Sequence, residues 1–286
     1  MPTHDLTPLR HTLAHLLAAA VQELYPAAKR SIGPAIEHGF YYDFEFPNPI
    51  GEEDLPRIEK KMRELLPSWE SFTRLEVTPQ QARDAFADSP YKQELIAELE
   101  SKGESISLYY SGPKDSIPDL STLQATSYKL PTGFLDLCRG GHTEHPNKDI
   151  ALDAFVLTHI AGAYWRGDET KPMLTRIYGL AFASKKELGA HRTMLEEAKR
   201  RDHKVLGPQL DLFVFSPLVG PGLPLWTPKG TTVRDLLDEF VWELRRRAGY
   251  QKVEIPHITK KDLYETSGHW DKFKEDLFRI TTREGH

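Results

Sequence analysis

The sequence predicts an α+β fold: an antiparallel sheet with flanking helices, then a connecting helix, then the start of a second antiparallel-sheet region. Three observations carry this. Glycine-punctuated β-rich runs ("SISLYYSG", "GFLDLC", "AFVLTHIAGAYW", "TRIYGLAFA") crowd the first 183 residues. Amphipathic segments with clear start signals lie before and between them. A highly charged stretch with a thin apolar stripe, 184–206, separates this part from a region rich in glycine and proline.

The elements follow in order. A helix is expected over Thr7–Leu24, because Leu9, Leu13, Leu16, Leu17, Ala20 and Leu24 fall on one side at about 100° per residue. His11 and His15 fall nearly opposite, beside Ala18 and Gln22, so they face water or a cleft rather than the apolar stripe. "GFYYDFEF" reads as a strand. "EEDLPRIEKKMRELL" reads as a helix with Pro56 in its first turn and a stripe at Leu55, Ile58, Met62 and Leu65. "TPQQARDAF" opens another helix, with Thr78 as cap and Gln81 closing a capping box. The segment from Ser184 to Gly207 is expected to be one helix with a Ser184/Glu187 box. The stretch from Thr231 onward reads as a long amphipathic helix stopped by Gly249 and followed by a strand carrying Pro256.

Composition narrows the class. The 286 residues suggest two domains, and 39% hydrophobic with 28% charged content is ordinary for a globular protein. One cysteine cannot form an internal disulfide, which points to a reducing, cytoplasmic setting. "LAHLLAAAV" is too short to span a bilayer and its leucines keep helical phase to Leu24, so no membrane or signal segment is expected. A net charge of −5 exerts no global pull toward nucleic acid. The basic runs "AKRRDHK" and "LRRRAGYQK" are either solvated helix faces or local phosphate contacts.

The chemistry-bearing residues are His11 and His15, four apart, and Cys138 and His142, four apart. An H-x-x-x-H pair puts two imidazoles about 6 Å apart on one helix face. With Cys138 and His142 added, a zinc site of four ligands is one reading, although a site closed by four protein ligands is usually structural. A second reading makes Cys138 a nucleophile with a histidine base. A third is free of metal: the polar groups line a cleft and place a water. Asp136, two residues before Cys138, would share its strand face and could hold an ammonium group.

Taken together, "RHTLAHLLAAAVQELYP", "IGPAIEHGFYYDF", "YKQELI", "LDLCRGGH", "AGAYWRGD", "LTRIYGLAF", "EEAKRRDHKVLGPQLDLF" and "ETSGHWDKF" resemble, in order, blocks of bacterial threonyl-tRNA synthetases. The resemblance covers nearly the whole chain. It implies that residues 1–183 are an editing domain related to that of alanyl-tRNA synthetases, 184–206 a linker helix, and 207–286 the first part of a class II catalytic domain with its first motif. It implies hydrolysis of mischarged seryl-tRNA(Thr) at the editing domain. Serine lacks one methyl of threonine, and a methyl discriminates by only roughly 1–3 kcal/mol, so a second, correcting site is needed. By resemblance His11 and Lys92 place or polarise the water. His15, Asp136, Cys138 and His142 hold the seryl moiety, and Gly33 and Tyr42 lie near the terminal adenosine. No metal is required on this reading; if zinc binds, its ligands are His11, His15, Cys138 and His142.

What has no match sets expectations too. The second and third class II motifs, the catalytic-site zinc ligands and the anticodon-binding domain have no counterparts here, so aminoacylation is not expected from this chain alone. ATP, magnesium and catalytic-site zinc belong to a full-length relative. So does a homodimer formed through the first-motif region. The expected partner is the acceptor end of tRNA(Thr). The competing reading is a non-catalytic module that binds the acceptor end and is held together by a structural zinc.

Overall fold

Helix α1 (Thr7–Leu24) occupies the bounds its periodicity predicts. Asp5 Oδ1 accepts the Thr7 amide at 2.9 Å, and a proline stands in the first turn, where its missing N–H leaves no bond unmade. The helix is buried on almost every side, at Leu13, Leu16 and Leu17 but also at Ala14, His15 and Ala18. The small alanines let a second layer approach the face opposite the leucines. His15, 4% exposed, is therefore a buried histidine, the reading its helical position argued against.

The computed structural model describes residues 5–118, 130, 132–273, 275–281 and 283. Two units emerge, residues 1–199 and 200–286. In the first, strands β1 (Lys29–Arg30), β2 (Ala35–Ile36), β3 (Gly39–Glu45), β7 (Phe155–Tyr164) and β8 (Met173–Ala181) form one antiparallel sheet of order β1-β3-β8-β7, with β2 on β3. Phe40, Tyr42 and Phe44 alternate onto one face of β3 and, with α1 and α2 (Leu55–Leu65), build the main core. Ile58 and Met62 supply the stripe of α2 as expected.

The expectation of a single sheet is corrected. A second, three-stranded antiparallel sheet consists of β4 (Ser71–Val77), β5 (Ile106–Gly112) and β6 (Phe134–Leu137). Helices α3 (Pro79–Ala85) and α4 (Pro90–Ser101) cover it, with Phe86, Ile96, Leu108 and Tyr110 in its core. The capping box of α3 is present: Thr78 Oγ1 accepts the Gln81 amide and Gln81 Oε1 accepts the Thr78 amide. This second sheet supplies the layer behind α1. Phe72 of β4 and Phe134 of β6 bring their rings to 6.0 and 6.3 Å from that of His15. A short helix, α5 (Pro146–Asp149), follows the cysteine loop.

Two further expectations change. The connector is two helices, α6 (Lys185–Arg200) and α7 (His203–Gln209), because Asp202 leaves helical geometry and caps the second one through the Lys204 amide. Pattern alone read through this break, since charge and periodicity continue across it. In the second unit a short ladder of β9 (Phe213–Val214) and β10 (Leu225–Trp226) precedes α8 (Pro228–Arg247), capped by Thr227. After α8 the segment with Pro256 carries no strand, and Val253 and Ile255 are almost fully exposed. A strand needs a neighbour's hydrogen bonds, which its own sequence does not contain. The described part ends with α9 (Lys261–Thr266) and α10 (His269–Lys272). Among the described residues no helix is long and apolar enough to cross a membrane.

Candidate functional site

The site lies where α1, the start of α4 and the end of β6 meet. A cavity of about 390 Å³ is lined there by His11, His15, Lys92, Asp136 and Cys138, with Gly33 on another wall. Seven of the eight residues singled out in the sequence are within this neighbourhood, because His142 adjoins Cys138. The eighth, Tyr42, is placed differently, as described below.

Helical spacing brings the first pair together. His11 Nε2 and His15 Nε2 are 3.2 Å apart. Two glycines bring the second pair together. Gly140 (φ 99°) and Gly141 (φ 85°) take left-handed turns that a side chain would strain, and fold the chain back on itself. His142 Nε2 then lies 3.4 Å from Cys138 Sγ, which accepts the Gly140 amide at 3.3 Å and sits 3.5 Å from His11 Nε2. The His142 ring is held flat on Phe72, with centroids 3.9 Å apart, and edge-on to Tyr109.

Behind this cluster stands Asp136, 1% exposed. Its Oδ1 accepts the Lys92 ammonium at 2.8 Å and the Leu137 amide at 2.9 Å. Its Oδ2 accepts the Tyr42 hydroxyl at 2.7 Å and faces His15 Nδ1 at 3.1 Å, a close charge contact outside directed hydrogen-bond geometry. Both carboxylate oxygens are thus engaged within the protein. The structure makes Asp136 a hub for other side chains rather than an open seat for a substrate ammonium. Tyr42 is 1% exposed, donates its hydroxyl to Asp136 and stands behind the residues that line the cavity. Gly33 does line the cavity. A Cβ there would stand 2.1 Å from the Tyr42 ring, so glycine lets that loop close on the aromatic face. Lys92, which without the resemblance reads as a surface residue, is 2% exposed.

The charges follow from these contacts. Burial opposes ionisation of Asp136, but Lys92, His15 and Arg30 hold its carboxyl well below the usual range. Burial would depress His15, yet Asp136 and Cys138 carry it up to about 9. Burial lowers Lys92, with Asp136 partly opposing. Burial raises the Cys138 thiol, but the surrounding histidines outweigh it and bring it down to about 3. Burial leads in lowering His142 to about 4. These contacts favour the ionised form of the Cys138 thiol, the uncharged form of His142 and the ionised form of Asp136.

These donors fit a metal ion. Zinc bonds of about 2.0–2.1 Å to nitrogen and 2.3 Å to sulfur place tetrahedral donors about 3.3–3.6 Å apart. Three of the separations here are 3.2, 3.4 and 3.5 Å, and all four donor atoms lie within 4.8 Å of one another. The proton count agrees, because His11 Nε2 cannot both accept from His15 and donate to the thiolate. His15, with Nδ1 toward Asp136, presents Nε2 to the cluster as metal-bound histidines do.

Sequence reasoning missed Arg30, Phe72 and Tyr109. Phe72 lies in β4, whose alternation in "SFTRLEV" offered a signal; nothing local marked the other two.

Comparison with known proteins adds the following. No protein-family model matches the chain. A threonine–tRNA ligase of Dehalococcoides mccartyi is 44% identical over 277 residues, 97% of this chain and 43% of that protein. One of Thermosynechococcus vestitus is 43% identical over 281 residues, 98% of this chain and 43% of that protein. One of Thermus thermophilus is 45% identical over 280 residues, 95% of this chain and 40% of that protein. The chain spans about two fifths of the length of the curated relatives it matches.

Proposed function

We propose, for a chain homologous along nearly its whole length to a segment of the threonine–tRNA ligases, that the cavity hydrolyses the ester of mischarged seryl-tRNA(Thr). The observation that carries this reading is the convergence of His11, Lys92 and the Asp136 hub on one small cavity. Residues 1–183 are then the editing domain, 184–206 the linker and 207–286 the first part of a class II catalytic domain. The whole protein would attach threonine to tRNA(Thr) using ATP and pair through the α8 region, where Leu236, Leu237 and Phe240 are exposed.

Hydrolysis requires a water to attack the ester carbonyl and the ribose oxygen to leave. His11 takes the proton from the attacking water and passes it to the ribose oxygen as the ester C–O bond breaks. The Lys92 ammonium, fixed by Asp136, stabilises negative charge on the carbonyl oxygen. Cys138 is a small polar wall, and no acyl-enzyme forms. Gly33 and its loop form the wall of the cavity nearest the terminal adenosine. A metal is not obligatory on this reading.

The convergent donor set favours a second reading, in which His11, His15, Cys138 and His142 hold a zinc ion in a non-catalytic module that binds the acceptor end. A bound zinc supplies cross-linking here, and Lewis acidity where a coordination position is open. The experiment is deacylation of seryl-tRNA(Thr). The first reading expects decay well above the uncatalysed rate and slower loss of threonyl-tRNA. Seryl-tRNA decaying at its uncatalysed rate would sink it and leave the binding module.

A further inference from the structure

We propose that Arg30 is a positioning residue for this cavity, tying the start of α4, which carries Lys92, to the strand that carries Asp136. The proposal rests on the editing reading above. Arg30 closes β1, paired with Phe44, and is 4% exposed. Its carbonyl accepts the Ser89 hydroxyl at 2.8 Å. Ser89 is the N-cap of α4, and the same Oγ accepts the Lys92 amide at 3.4 Å. The Arg30 main chain therefore fixes the turn from which the Lys92 side chain departs.

The guanidinium fixes the other side. Nη1 donates to the Leu135 carbonyl at 2.9 Å, one residue before Asp136. The planar group lies 4.9 Å from the Phe134 ring centroid and 5.5 Å from that of Phe86. A flat, delocalised cation can stack on aromatic faces while donating in its own plane, which a lysine ammonium cannot do. Arg30 does not line the cavity, so it acts through Lys92 and Asp136 rather than on substrate.

Arg30→Met keeps length and apolar contact but removes the donor and the charge. Arg30→Lys restores the charge alone. For Arg30→Met, kcat of seryl-tRNA hydrolysis should fall about 10- to 100-fold with KM little changed, the signature of a displaced catalytic group. Arg30→Lys should recover part of that loss. A second readout needs no activity: the Lys92 ammonium protons, observed by ¹H–¹⁵N NMR, should exchange with water about tenfold faster in Arg30→Met as the ion pair loosens. An unchanged kcat, or equally protected Lys92 protons, would overturn the proposal. If the wild-type chain does not hydrolyse seryl-tRNA, the editing reading fails, and the proton exchange alone decides whether Arg30 holds the pair. If Arg30→Met does not fold, Ser89→Ala with Arg30→Lys decides: both at wild-type kcat would overturn it.

Discussion

Replacing Asp136 with asparagine tests the hub directly. Asparagine keeps the shape and one carbonyl oxygen, but its NH₂ must face donors whichever way it turns. On one side wait Lys92 and the Leu137 amide, on the other the Tyr42 hydroxyl and His15. A buried ammonium then loses the carboxylate that pairs with it at 2.8 Å. Removing one partner of a buried ion pair costs about 3–5 kcal/mol. A typical domain has about 5–15 kcal/mol in all, so the loss is a large share. At about 1.4 kcal/mol per decade, amides that exchange by global opening should speed up about 100- to 5,000-fold. Hydrogen exchange by mass spectrometry on α1 and β3 peptides reads this, and α8 peptides serve as the internal reference. Adding Lys92→Met should recover much of the loss, because an apolar pair carries no uncompensated charge. The pH sign follows from the depressed carboxyl of Asp136. Its stabilisation is full above the unfolded value of about 3.9 and is lost only as pH falls through the lower folded value, so the variant's deficit persists throughout mildly acidic pH. A deficit below about 1 kcal/mol, or purely additive losses in the double variant, would refute the hub.

The remaining expectations concern the cluster and the second unit. His11→Ala should remove most seryl-tRNA hydrolysis, since it removes the proposed base; retention of wild-type kcat would exclude His11 from the chemistry. Cys138→Ala should weaken binding or selectivity, and rapid-quench analysis of the wild type should find no acyl-enzyme. Hydrolysis should survive chelation; activity lost with chelator and restored by zinc, with about one zinc per chain by elemental analysis, would replace the metal-free reading. Residues 207–286 should exchange faster than the first unit and bind a hydrophobic dye, because Leu236, Leu237, Phe240 and Leu244 of α8 are exposed; protection equal to that of α1 in a monomer would contradict this.

Legibility in the sequence followed the range of the interactions. The helix α1, the α3 capping box and the glycine-bounded strands were readable, because each depends on residues within a turn or on strict alternation. The H-x-x-x-H pair was readable for the same reason. The division into two sheets was not, because β4 and β5 pair across a helical excursion that pattern does not reveal. The break at Asp202 was hidden by continuing charge. Lys92 and Tyr42 could be placed only through a resemblance, since their common partner, Asp136, lies 44 and 94 residues away. The Tyr42 hydroxyl bond to Asp136 in particular has no local signal. Arg30 gave no signal at all, because an arginine in "AKRSIG" looks like solvated charge until the fold surrounds it with Phe86, Phe134 and the Leu135 carbonyl.

Valences already filled limit what the cavity can do. Asp136 has two oxygens, and the protein supplies four groups to them, so a substrate ammonium would have to displace Lys92 or meet another anion. Two other acidic groups line the cavity, Glu98 and Cys138; Glu98 is spent on Lys102 and Arg166, which leaves the Cys138 sulfur. If zinc claims the thiolate, that charge is neutralised and the ammonium loses this partner. If the thiolate stays free of metal, it can face the ammonium while Asp136 keeps Lys92 in place. Occupancy of the four-residue cluster and binding of an aminoacyl ester are therefore coupled through one sulfur atom, and measuring either in the presence of the other tests both readings of the site together.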